Sequence, residues 1–538
     1  MIPAMLSFIR GPDVPLLEKT IDQAFKETAG RLPGHPAVIS RHQNVRLTYR
    51  QLDEQAESVA RGMHGIGLRR PDRVGVWASN CLEWVLLQLA CARTGLVLVN
   101  VNPAYRSREL EYVLRKSRMR ALFLRERDSH ANYAGILADS STQPEHVIFF
   151  EHASWNRMIT GGTAFEKNPE GPDGVVNIQY TSGTTGSPKG VLLTHTNLVN
   201  NAWIVGRTIR LTERDRVVVP FPFYHCAGCV LGSLMCFVAG ATLIIPSARF
   251  DARSSLEAVA AEHGTVLTGV PTMFIGELND PGFETFDLKS LRTGFMGGSP
   301  CPIEVMRRVV TRMHCIGMTV VYGQTEASPV ITMSHIDDSV EVRTSTIGTA
   351  LPNTEVKIVS LDTGETLPPG QQGELCARGY LVMKGYDDEP EATARAIDRQ
   401  GWLHTGDLAT MRPDGYFNIT GRSRDMIIRG GENIYPREIE EFLYTHPGIA
   451  EVQIVGVPDL KLGEAVLAWI RLRAGETATE DEIRGFCNGK IAHFKIPQYI
   501  RFVDTFPMTV TGKVQKYKIR EIEIQERGLQ TVSDITTA

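Results

Sequence analysis

Ten small and polar residues, TSGTTGSPKG, separate two apolar runs at positions 181–190. Glycines in this stretch allow positive φ angles and a close approach of the backbone to a ligand, while hydroxyls and a lysine supply donors without bulk. This composition is typical of a loop that binds phosphate groups. The Walker A pattern does not fit, because Pro188 and Gly190 stand where it requires a glycine and a hydroxyl. A flexible surface loop is the alternative, but the position between two apolar runs favours a nucleotide site.

Lysine is rare in this chain, which has 57 lysines and arginines together, 14 of them lysines. Most basic positions in this chain are arginines, so a position that is lysine is informative. The ammonium group of lysine is compact and can follow a moving phosphate. Lys189, in the polar stretch, and Lys513, in PMTVTGK near the end, are therefore candidate phosphate contacts. We expect Lys516 and Lys518 to be ordinary surface lysines.

Two further motifs carry chemistry. The segment YGQTE at 322–326 follows an apolar run and offers an aromatic face, a hydroxyl and a carboxylate. The segment WLHTGD ends at Asp407, a carboxylate that could accept hydrogen bonds from a ligand. Alone, Asp407 could equally cap a turn.

In this order the motifs resemble those of the AMP-forming adenylating enzymes, the superfamily of acyl-CoA synthetases, adenylation domains and firefly luciferase. The similarity runs from LTYRQLDEQAE at 47–57 to TGKVQK at 511–516. The segments GVPTMFIGEL at 269–278 and TGFMGGSPCP at 293–302 resemble the medium-chain fatty acyl-CoA synthetases and bacterial methylmercaptopropionate-CoA ligases. The cofactor and co-substrates that this implies are ATP, Mg²⁺ and coenzyme A.

The resemblance also assigns roles to single residues. Lys513 bridges the substrate carboxylate and the α-phosphate, Thr325 contacts the α-phosphate, Glu326 holds Mg²⁺ with Thr181, and Lys189 contacts the outer phosphates. The ring of Tyr322 stacks on adenine, Asp407 and Arg422 contact the ribose, and Arg424 is the hinge about which a small domain rotates. The remaining nucleotide-binding residues implied are Ser182, Gly183, Thr184, Thr185, Gly186, Gly298, Ser299, Pro300 and Gly323. The implied coenzyme A channel is formed by Gly430, Gly431 and Glu432.

The acyl group is expected against an apolar wall formed by the segments around His225, Val270 and Met296. Glycines, including Gly294 and Gly297, should leave volume in this wall. No arginine or lysine lies within these segments, so a monocarboxylic, largely apolar acid is favoured. His225 has two readings, a residue beside the reacting carboxylate and a histidine of the core.

The elements that must position these residues alternate between strands and helices. Apolar runs at 73–79, 96–102 and 121–126 read as buried strands, and 81–94 and 107–117 as helices, which predicts parallel βαβ units. Short alternating strands after about residue 340 predict a small β-barrel-like part. We therefore predict an α/β fold with an adenylation domain over residues 1–423. A small mobile α+β domain, residues 424–538, follows it and carries the catalytic lysine.

Composition limits the other possibilities. The chain has 538 residues, of which 42% are hydrophobic, as in a globular protein. Its net charge of −4 gives no overall positive potential that would attract nucleic acid. Nine cysteines without framework spacing and a start that is not a secretory signal favour the cytoplasm, in a bacterium. Cys226 and Cys229 form a C-x-x-C within an apolar run, which favours buried packing over a zinc or redox site. Residues 217–248 lack charge, but prolines and glycines divide them into lengths of a buried core, so no integral membrane span is expected.

The sequence therefore predicts an acid–thiol ligase that converts a medium-chain fatty acid into an acyl-adenylate and then an acyl-CoA, releasing pyrophosphate and AMP. Ligases of short thioether or aryl acids, such as methylmercaptopropionate, and enzymes that load a carrier protein are the nearest alternatives. A luciferase-like oxygenase and a nucleotide-binding pseudoenzyme remain open as further classes. A homodimer is also left open.

Overall fold

The structure, a computed structural model, describes residues 6–129, 131–166, 171–181, 188–299, 301–422, 425–429, 432–434, 436–459, 462–488, 490–491, 493–509 and 513–529. Over these residues the strands form four sheets, and helices cover the two that are largely parallel. The predicted α/β class is confirmed.

The first parallel sheet is built from near-continuous runs of β-branched and aliphatic residues, as expected for strands covered on both faces. In spatial order it contains β19 (Gly385–Tyr386), β9 (Lys189–Thr194), β8 (Val175–Thr181), β5 (Val97–Asn100), β4 (Arg73–Trp77), β6 (Ala121–Leu124) and β7 (His146–Phe149). Its strands run parallel from β8 to β7, whereas β8, β9 and β19 pair antiparallel. The polar stretch of residues 181–190 thus joins two hydrogen-bonded strands, because Thr181 pairs with Lys189.

The second parallel sheet carries the segments that the sequence assigned to the adenine and the acid. In spatial order it contains β16 (Thr349–Ala350), β15 (Val330–Met333), β14 (Gly317–Gly323), β13 (Thr293–Gly297), β12 (Val266–Gly269), β10 (Arg216–Val218), β11 (Thr242–Ile245), β2 (Pro36–Ser40) and β3 (Val45–Thr48). Strands β14, β13, β12, β10, β11 and β2 are parallel. Their carboxyl ends therefore lie along one edge of the sheet.

Two antiparallel sheets follow. The barrel-like sheet contains β1 (Phe8–Arg10), β17 (Thr354–Val359), β18 (Gly373–Gly379), β20 (Leu403–Met411) and β21 (Phe417–Arg422). The C-terminal sheet contains β23 (Glu432–Ile434), β22 (Ile427–Arg429), β25 (Gly463–Leu472), β24 (Ile449–Asp459) and β26 (Tyr499–Phe502), with β26 parallel to β25. It has its own apolar core, which includes Ile454 and Ile470.

The helices occupy the faces of these sheets. They are α1 (Ile21–Arg31), α2 (Tyr49–Gly65), α3 (Leu82–Thr94), α4 (Ser107–Ser117), α5 (Tyr133–Ala138), α6 (Ala153–Thr160), α7 (His195–Thr208), α8 (Cys226–Gly228), α9 (Met235–Ala239), α10 (Ala252–Glu262), α11 (Pro271–Leu278), α12 (Ile303–Arg312), α13 (Val340–Ser345), α14 (Pro390–Ala396), α15 (Pro436–Tyr444), α16 (Glu480–Cys487) and α17 (Lys516–Glu526). A π-helical segment, Cys229–Leu234, joins α8 to α9.

The largest apolar core lies between the two parallel sheets. Helix α3 is buried on nearly every side there, in keeping with its uniformly apolar sequence, and ends at Gly95, whose φ of 74° suits glycine. The charge-free residues 217–248 form strands and short helices of this core, as predicted. Among the described residues, no helix combines the length and the apolar character that crossing a bilayer needs.

Candidate active site

The predicted binding residues gather at the carboxyl edge of the second parallel sheet. Strands β13 and β14 are neighbours, with Gly297 opposite Val321, so Gly298, just after β13, lies beside Tyr322 of β14. Strand β12 is the next neighbour and leads through Val270 into helix α11. Ligands of open α/β sheets bind at such an edge, because the loops after adjacent parallel strands converge there.

The C-terminal part of the chain brings Lys513 to this edge. A β-carbon built at Gly298 would lie 3.5 Å from Cε of Lys513 and 3.4 Å from Cγ1 of Val270. Gly298 has a φ of 82°, a conformation that favours glycine and leaves its backbone exposed beside the lysine. Thr509 holds the backbone of Lys513, since the Lys513 amide donates to Thr509 Oγ1 at 3.0 Å and the Lys513 carbonyl accepts from the Thr509 amide at 2.7 Å.

Residues predicted to contact phosphate and metal meet where the two parallel sheets adjoin. Thr181, at the end of β8, places Oγ1 3.4 Å from Oε1 of Glu326. The hydroxyl of Tyr386, on strand β19, donates to the same Oε1 at 2.9 Å. Nζ of Lys189 lies 5.1 Å from the centre of the Tyr386 ring, within cation–π range. The arrangement assembles a carboxylate, two hydroxyls and an ammonium, the groups that a metal-bound polyphosphate requires.

Tyr386 keeps its proton in this environment. Burial, reinforced by the adjacent negative charge of Glu326, raises the pKa of the Tyr386 hydroxyl well above its usual value. The hydroxyl is therefore a donor at any physiological pH, and it fixes one oxygen of Glu326.

The predicted ribose contacts also meet. Tyr322 donates from its hydroxyl to Oδ2 of Asp407 at 2.7 Å, which links the second parallel sheet to strand β20 of the barrel-like sheet. Asp407 lies opposite Arg422 in the register of β20 and β21, and its side chain is buried. Asp407 is thus part of a strand and does not cap a turn, the other role that the sequence allowed.

His225 is neutral and lies near Lys513, at the carboxyl edge of the second parallel sheet. Its Nδ1 accepts from the amide of Ala227 at 3.3 Å and caps helix α8, which leaves Nε2 as the protonated nitrogen. Burial, with a further contribution from the positive charge of Lys513, lowers the pKa of His225 to about 3. The helix cap by Nδ1 is shown, whereas a contact of His225 with the reacting carboxylate stays a prediction.

Cys226 follows His225, and its Sγ lies 3.6 Å from Oγ1 of Thr325. Burial raises the pKa of the Cys226 thiol to about 11, so the group is not a thiolate nucleophile. Cys226 and Cys229 are both buried and free, as the sequence predicted for packing residues.

A cavity of about 470 Å³ opens between the second parallel sheet and the C-terminal part of the chain. Such a volume is ordinary for a site that takes a small organic ligand. Pro222, Tyr224, Phe250, Met273 and Ile275 supply much of its apolar lining, and Met508 and Thr509 close it from the C-terminal part.

The five residues expected in the acyl wall, His225, Val270, Gly294, Met296 and Gly297, do not line this cavity, although their neighbours Pro222, Tyr224 and Thr272 do. Met296 is fully buried in the core beneath the sheet. A β-carbon at Gly294 would lie 1.9 Å from the carbonyl oxygen of Leu267, and one at Gly297 would lie 2.5 Å from that of Val321. We expected these two glycines to leave space for the acyl group. That expectation is wrong, because neighbouring backbone already fills the space where a side chain would be.

Several predicted residues lie outside the described part of the chain, and their roles stay predictions. These are Ser182, Gly183, Thr184, Thr185 and Gly186 of the polar stretch, Pro300, the expected hinge Arg424, and Gly430 and Gly431. For Arg422 and Glu432 only the backbone strand is described.

The sequence reasoning missed two residues of the site, Tyr386 and Cys226. Tyr386 stands in GYDDEP, where no spacing relates it to Glu326. The only local signal is an aromatic residue after a glycine. Cys226 was assigned to packing alone, and the chain offers no local sign of its contact with Thr325, which is 99 positions away.

Comparison with known proteins agrees with this geometry. Residues 25–387 match the model of the AMP-binding enzyme family, and residues 438–513 match that of the AMP-binding enzyme C-terminal domain. YngI of Bacillus subtilis (strain 168), whose name places it among acyl-CoA synthetases, is 46% identical over 96% of this chain and 99% of its own length. The human mitochondrial medium-chain acyl-CoA ligase ACSF2 is 42% identical over 96% of this chain and 89% of its own.

A solved structure, the anthranilate CoA ligase AuaEII in complex with anthranoyl-AMP, superposes with a TM-score of 0.86 at 25% identity. The superposition covers 95% of this chain and 98% of that one. The chain therefore belongs to the AMP-binding enzyme family. Within the family it is an AMP-forming acyl-CoA synthetase, an acid–thiol ligase that uses a carboxylic acid, ATP and coenzyme A.

Proposed function

We propose that this synthetase activates medium-chain fatty acids, and that Lys513 carries the first half of the reaction. The observation that carries the proposal is the approach of the Lys513 stem to Gly298, at the edge where Val270 and His225 also lie. The 42% identity to a ligase named for medium-chain acids supports the chain length.

The lining of the cavity supports an apolar monocarboxylic acid. The described lining has two cations, and both are already paired. Arg471 forms an ion pair with Glu451, which also lines the cavity. Arg249 donates to Oδ2 of Asp128 at 3.1 Å and to Oη of Tyr133 at 3.0 Å. A second carboxylate on the substrate would have to compete with Asp128 for this guanidinium. Hydrocarbon gains free energy on burial here, at about 0.8 kcal/mol per methylene.

In the first half-reaction, a carboxylate oxygen of the acid attacks the α-phosphorus of ATP. The bond to the bridging oxygen breaks, pyrophosphate leaves and an acyl-adenylate forms. No protein nucleophile takes part, so catalysis consists of positioning and charge neutralisation. Lys513 draws the carboxylate and the α-phosphate together, Thr325 donates to the phosphate, and Lys189 neutralises the outer phosphates.

The oxygens of Glu326 and Thr181, 3.4 Å apart, are the hard donor set that Mg²⁺ takes together with phosphates. These residues fit the ion, which when bound would neutralise charge on the polyphosphate. Tyr386 would hold the Glu326 carboxylate in place through its hydroxyl. The buried carboxylate of Asp407, with Tyr322 bonded to it, fits the hydroxyls of the ribose.

In the second half-reaction, the thiol of coenzyme A attacks the acyl carbon, its proton is lost and AMP departs. Rotation of the small domain about Arg424 would withdraw Lys513 and bring Gly430, Gly431 and Glu432 to the thiol channel. His225, neutral and with Nε2 protonated, is suited to donate to the acyl oxygen without adding charge to the site.

The test is pyrophosphate release with carboxylic acids from acetate to palmitate, together with benzoate and methylmercaptopropionate, each with and without coenzyme A. We expect a maximum at medium chain length and AMP formation that depends on coenzyme A. A maximum at benzoate or methylmercaptopropionate would replace the proposed acid. Pyrophosphate release without any acyl transfer to coenzyme A would point to loading of a carrier protein.

Two further expectations accompany the proposal. A cytoplasmic location is supported by the nine cysteines, each of which is buried and free. A homodimer stays a prediction that sedimentation velocity can test.

A further inference from the structure

A cluster of metal-binding side chains lies on the barrel-like sheet, apart from the residues proposed to act on ATP. Cys376 on β18 pairs in register with His404 on β20, and Glu374 lies two positions before Cys376 on the same face of its strand. One potential ligand atom from each side chain lies within 4.8 Å of the other two. The proposed reaction uses none of the three.

The spacing of these atoms matches a tetrahedral metal centre. With bonds of about 2.3 Å to sulfur and about 2.0 Å to nitrogen, tetrahedral angles separate the two ligands by about 3.5 Å. Sγ of Cys376 lies 3.5 Å from Nδ1 of His404. The carboxylate oxygen Oε2 of Glu374 is 2.8 Å from the same Nδ1, against about 3.3 Å in a tetrahedral site, so a shift of about half an ångström suffices.

Neighbouring groups already hold the ligands as outer-shell partners do in metal proteins. Oε1 of Glu374 accepts from the amide of Gly406 at 2.9 Å, while Oε2 is bonded to Nδ1 of His404 and would exchange that bond for the metal. Nε2 of His404 lies 3.9 Å from Oδ2 of Asp398, and an approach of less than about 1 Å would give the carboxylate–histidine hydrogen bond that orients a ligating imidazole. Asp398 is itself fixed, because its Oδ1 accepts from the amides of Gln400 and Trp402.

Access and ligand chemistry select the kind of ion. Cys376 is fully buried, whereas the side chain of His404 is 34% exposed, so an ion can enter from solvent and keep a water as its fourth ligand. A set of thiolate, imidazole and carboxylate suits Zn²⁺ and similar transition metals, whereas Mg²⁺ and Ca²⁺ prefer oxygen alone.

We propose that Glu374, Cys376 and His404 form a binding site for one Zn²⁺ ion, or a divalent transition-metal ion of similar softness. On binding, the thiol proton of Cys376 and any proton on Nδ1 of His404 pass to solvent, and the metal takes their place. The site lies three positions before Asp407 on the same strand, so an ion there would stiffen the strand that carries the ribose carboxylate.

Co²⁺ is the probe, because a cobalt–thiolate bond gives a charge-transfer band in the near ultraviolet and tetrahedral cobalt absorbs strongly in the visible. The full-length protein, free of nucleotide, is titrated with CoCl₂ and then with ZnCl₂. We expect one Co²⁺ per chain, both bands, and displacement by Zn²⁺. Cys376→Ser and His404→Gln should lose the charge-transfer band, whereas Cys315→Ser, a buried cysteine elsewhere, should keep it.

Circular dichroism shows whether each variant is folded. If Cys376→Ser fails to fold, Glu374→Gln and Asp398→Asn replace it, and both should weaken Co²⁺ binding at least tenfold. A charge-transfer band that survives in Cys376→Ser, or no band in the unaltered protein, would overturn the proposal. Binding by Glu326→Gln should equal that of the unaltered protein, which separates this site from the expected magnesium ligand.

Discussion

The hydroxyl of Tyr386 donates to Glu326 across 2.9 Å, although Tyr386 lies on β19 of one parallel sheet and Glu326 follows β14 of the other. The same carboxylate oxygen lies near Thr181 of the polar stretch. This contact joins the two parallel sheets at the point where the polyphosphate is proposed to bind. Glu326 is thus held by a neutral donor that the motif itself does not contain.

Replacement of Tyr386 by phenylalanine tests this relationship. Removing an outer-shell partner commonly weakens metal binding by 10- to 100-fold, so we expect Tyr386→Phe to need about tenfold more Mg²⁺ for half-maximal pyrophosphate release. Tyr416→Phe is the matched control, because it also removes a hydroxyl bonded to a carboxylate, that of Asp338 at 2.6 Å. An unchanged magnesium dependence in Tyr386→Phe would refute the role given to Tyr386.

The proposed role of Lys513 predicts a separation of the two half-reactions. Lys513→Ala should slow pyrophosphate release by about 10²- to 10³-fold, the usual cost of losing one charge-stabilising group. Thioester formation from supplied acyl-AMP should be nearly unchanged. Lys518→Ala, at an exposed position of the same segment, is the control. Equal losses in both half-reactions would contradict the assignment.

If Asp407 contacts the ribose, its contribution to ATP binding should depend on the ribose hydroxyls of the nucleotide. A hydrogen bond to a charged group contributes about 1.5–3 kcal/mol, so Asp407→Asn should weaken ATP binding roughly 10- to 100-fold. Binding of 2′,3′-dideoxy-ATP, which lacks both hydroxyls, should change little. Isothermal titration of the two nucleotides measures the difference, and a similar loss for both would mean that Asp407 acts through structure alone.

The burial of His195 leads to a prediction of how the stability of the fold depends on pH. Burial lowers its pKa to about 4, and its Nδ1 accepts from the amide of Ile21 at 3.1 Å. Between the unfolded pKa of about 6.5 and the folded pKa, the unfolded chain binds more protons, so acidification destabilises the fold by at most about 1.4 kcal/mol per pH unit. His195→Asn removes this proton acceptor. The fall in melting temperature from pH 7 to pH 5 should therefore be smaller in the variant than in the parent, and an equal fall would contradict the assignment.

Local patterns sufficed for elements whose stabilising contacts are close in sequence. Helix α4, Ser107–Ser117, has the predicted bounds because its start and end depend on neighbouring residues: Glu109 accepts from the Arg106 amide, and Arg118 takes a left-handed conformation. The predicted grouping of Thr181 with Glu326 needed the family resemblance, since 145 positions separate them.

Contacts between distant residues explain what the sequence did not reveal. Lys516 was expected at the surface, but it forms an ion pair with the buried Glu440 of helix α15, so that expectation is wrong. Lys518, two positions later, is exposed as predicted. The hinge at Arg424 and the domain boundary beside it stay predictions, because Arg424 lies outside the described residues.

The closeness of Gly298 to Lys513 has a consequence for how this sequence can change over generations. A side chain at position 298 would meet the lysine only while the C-terminal part of the chain stands in the arrangement described here. A substitution there would strain the backbone in any arrangement, because a φ of 82° favours glycine, and would in addition crowd the lysine in this one. Natural selection at this glycine therefore acts in part through a residue 215 positions further along the chain, and compensating changes are expected among the residues around Lys513.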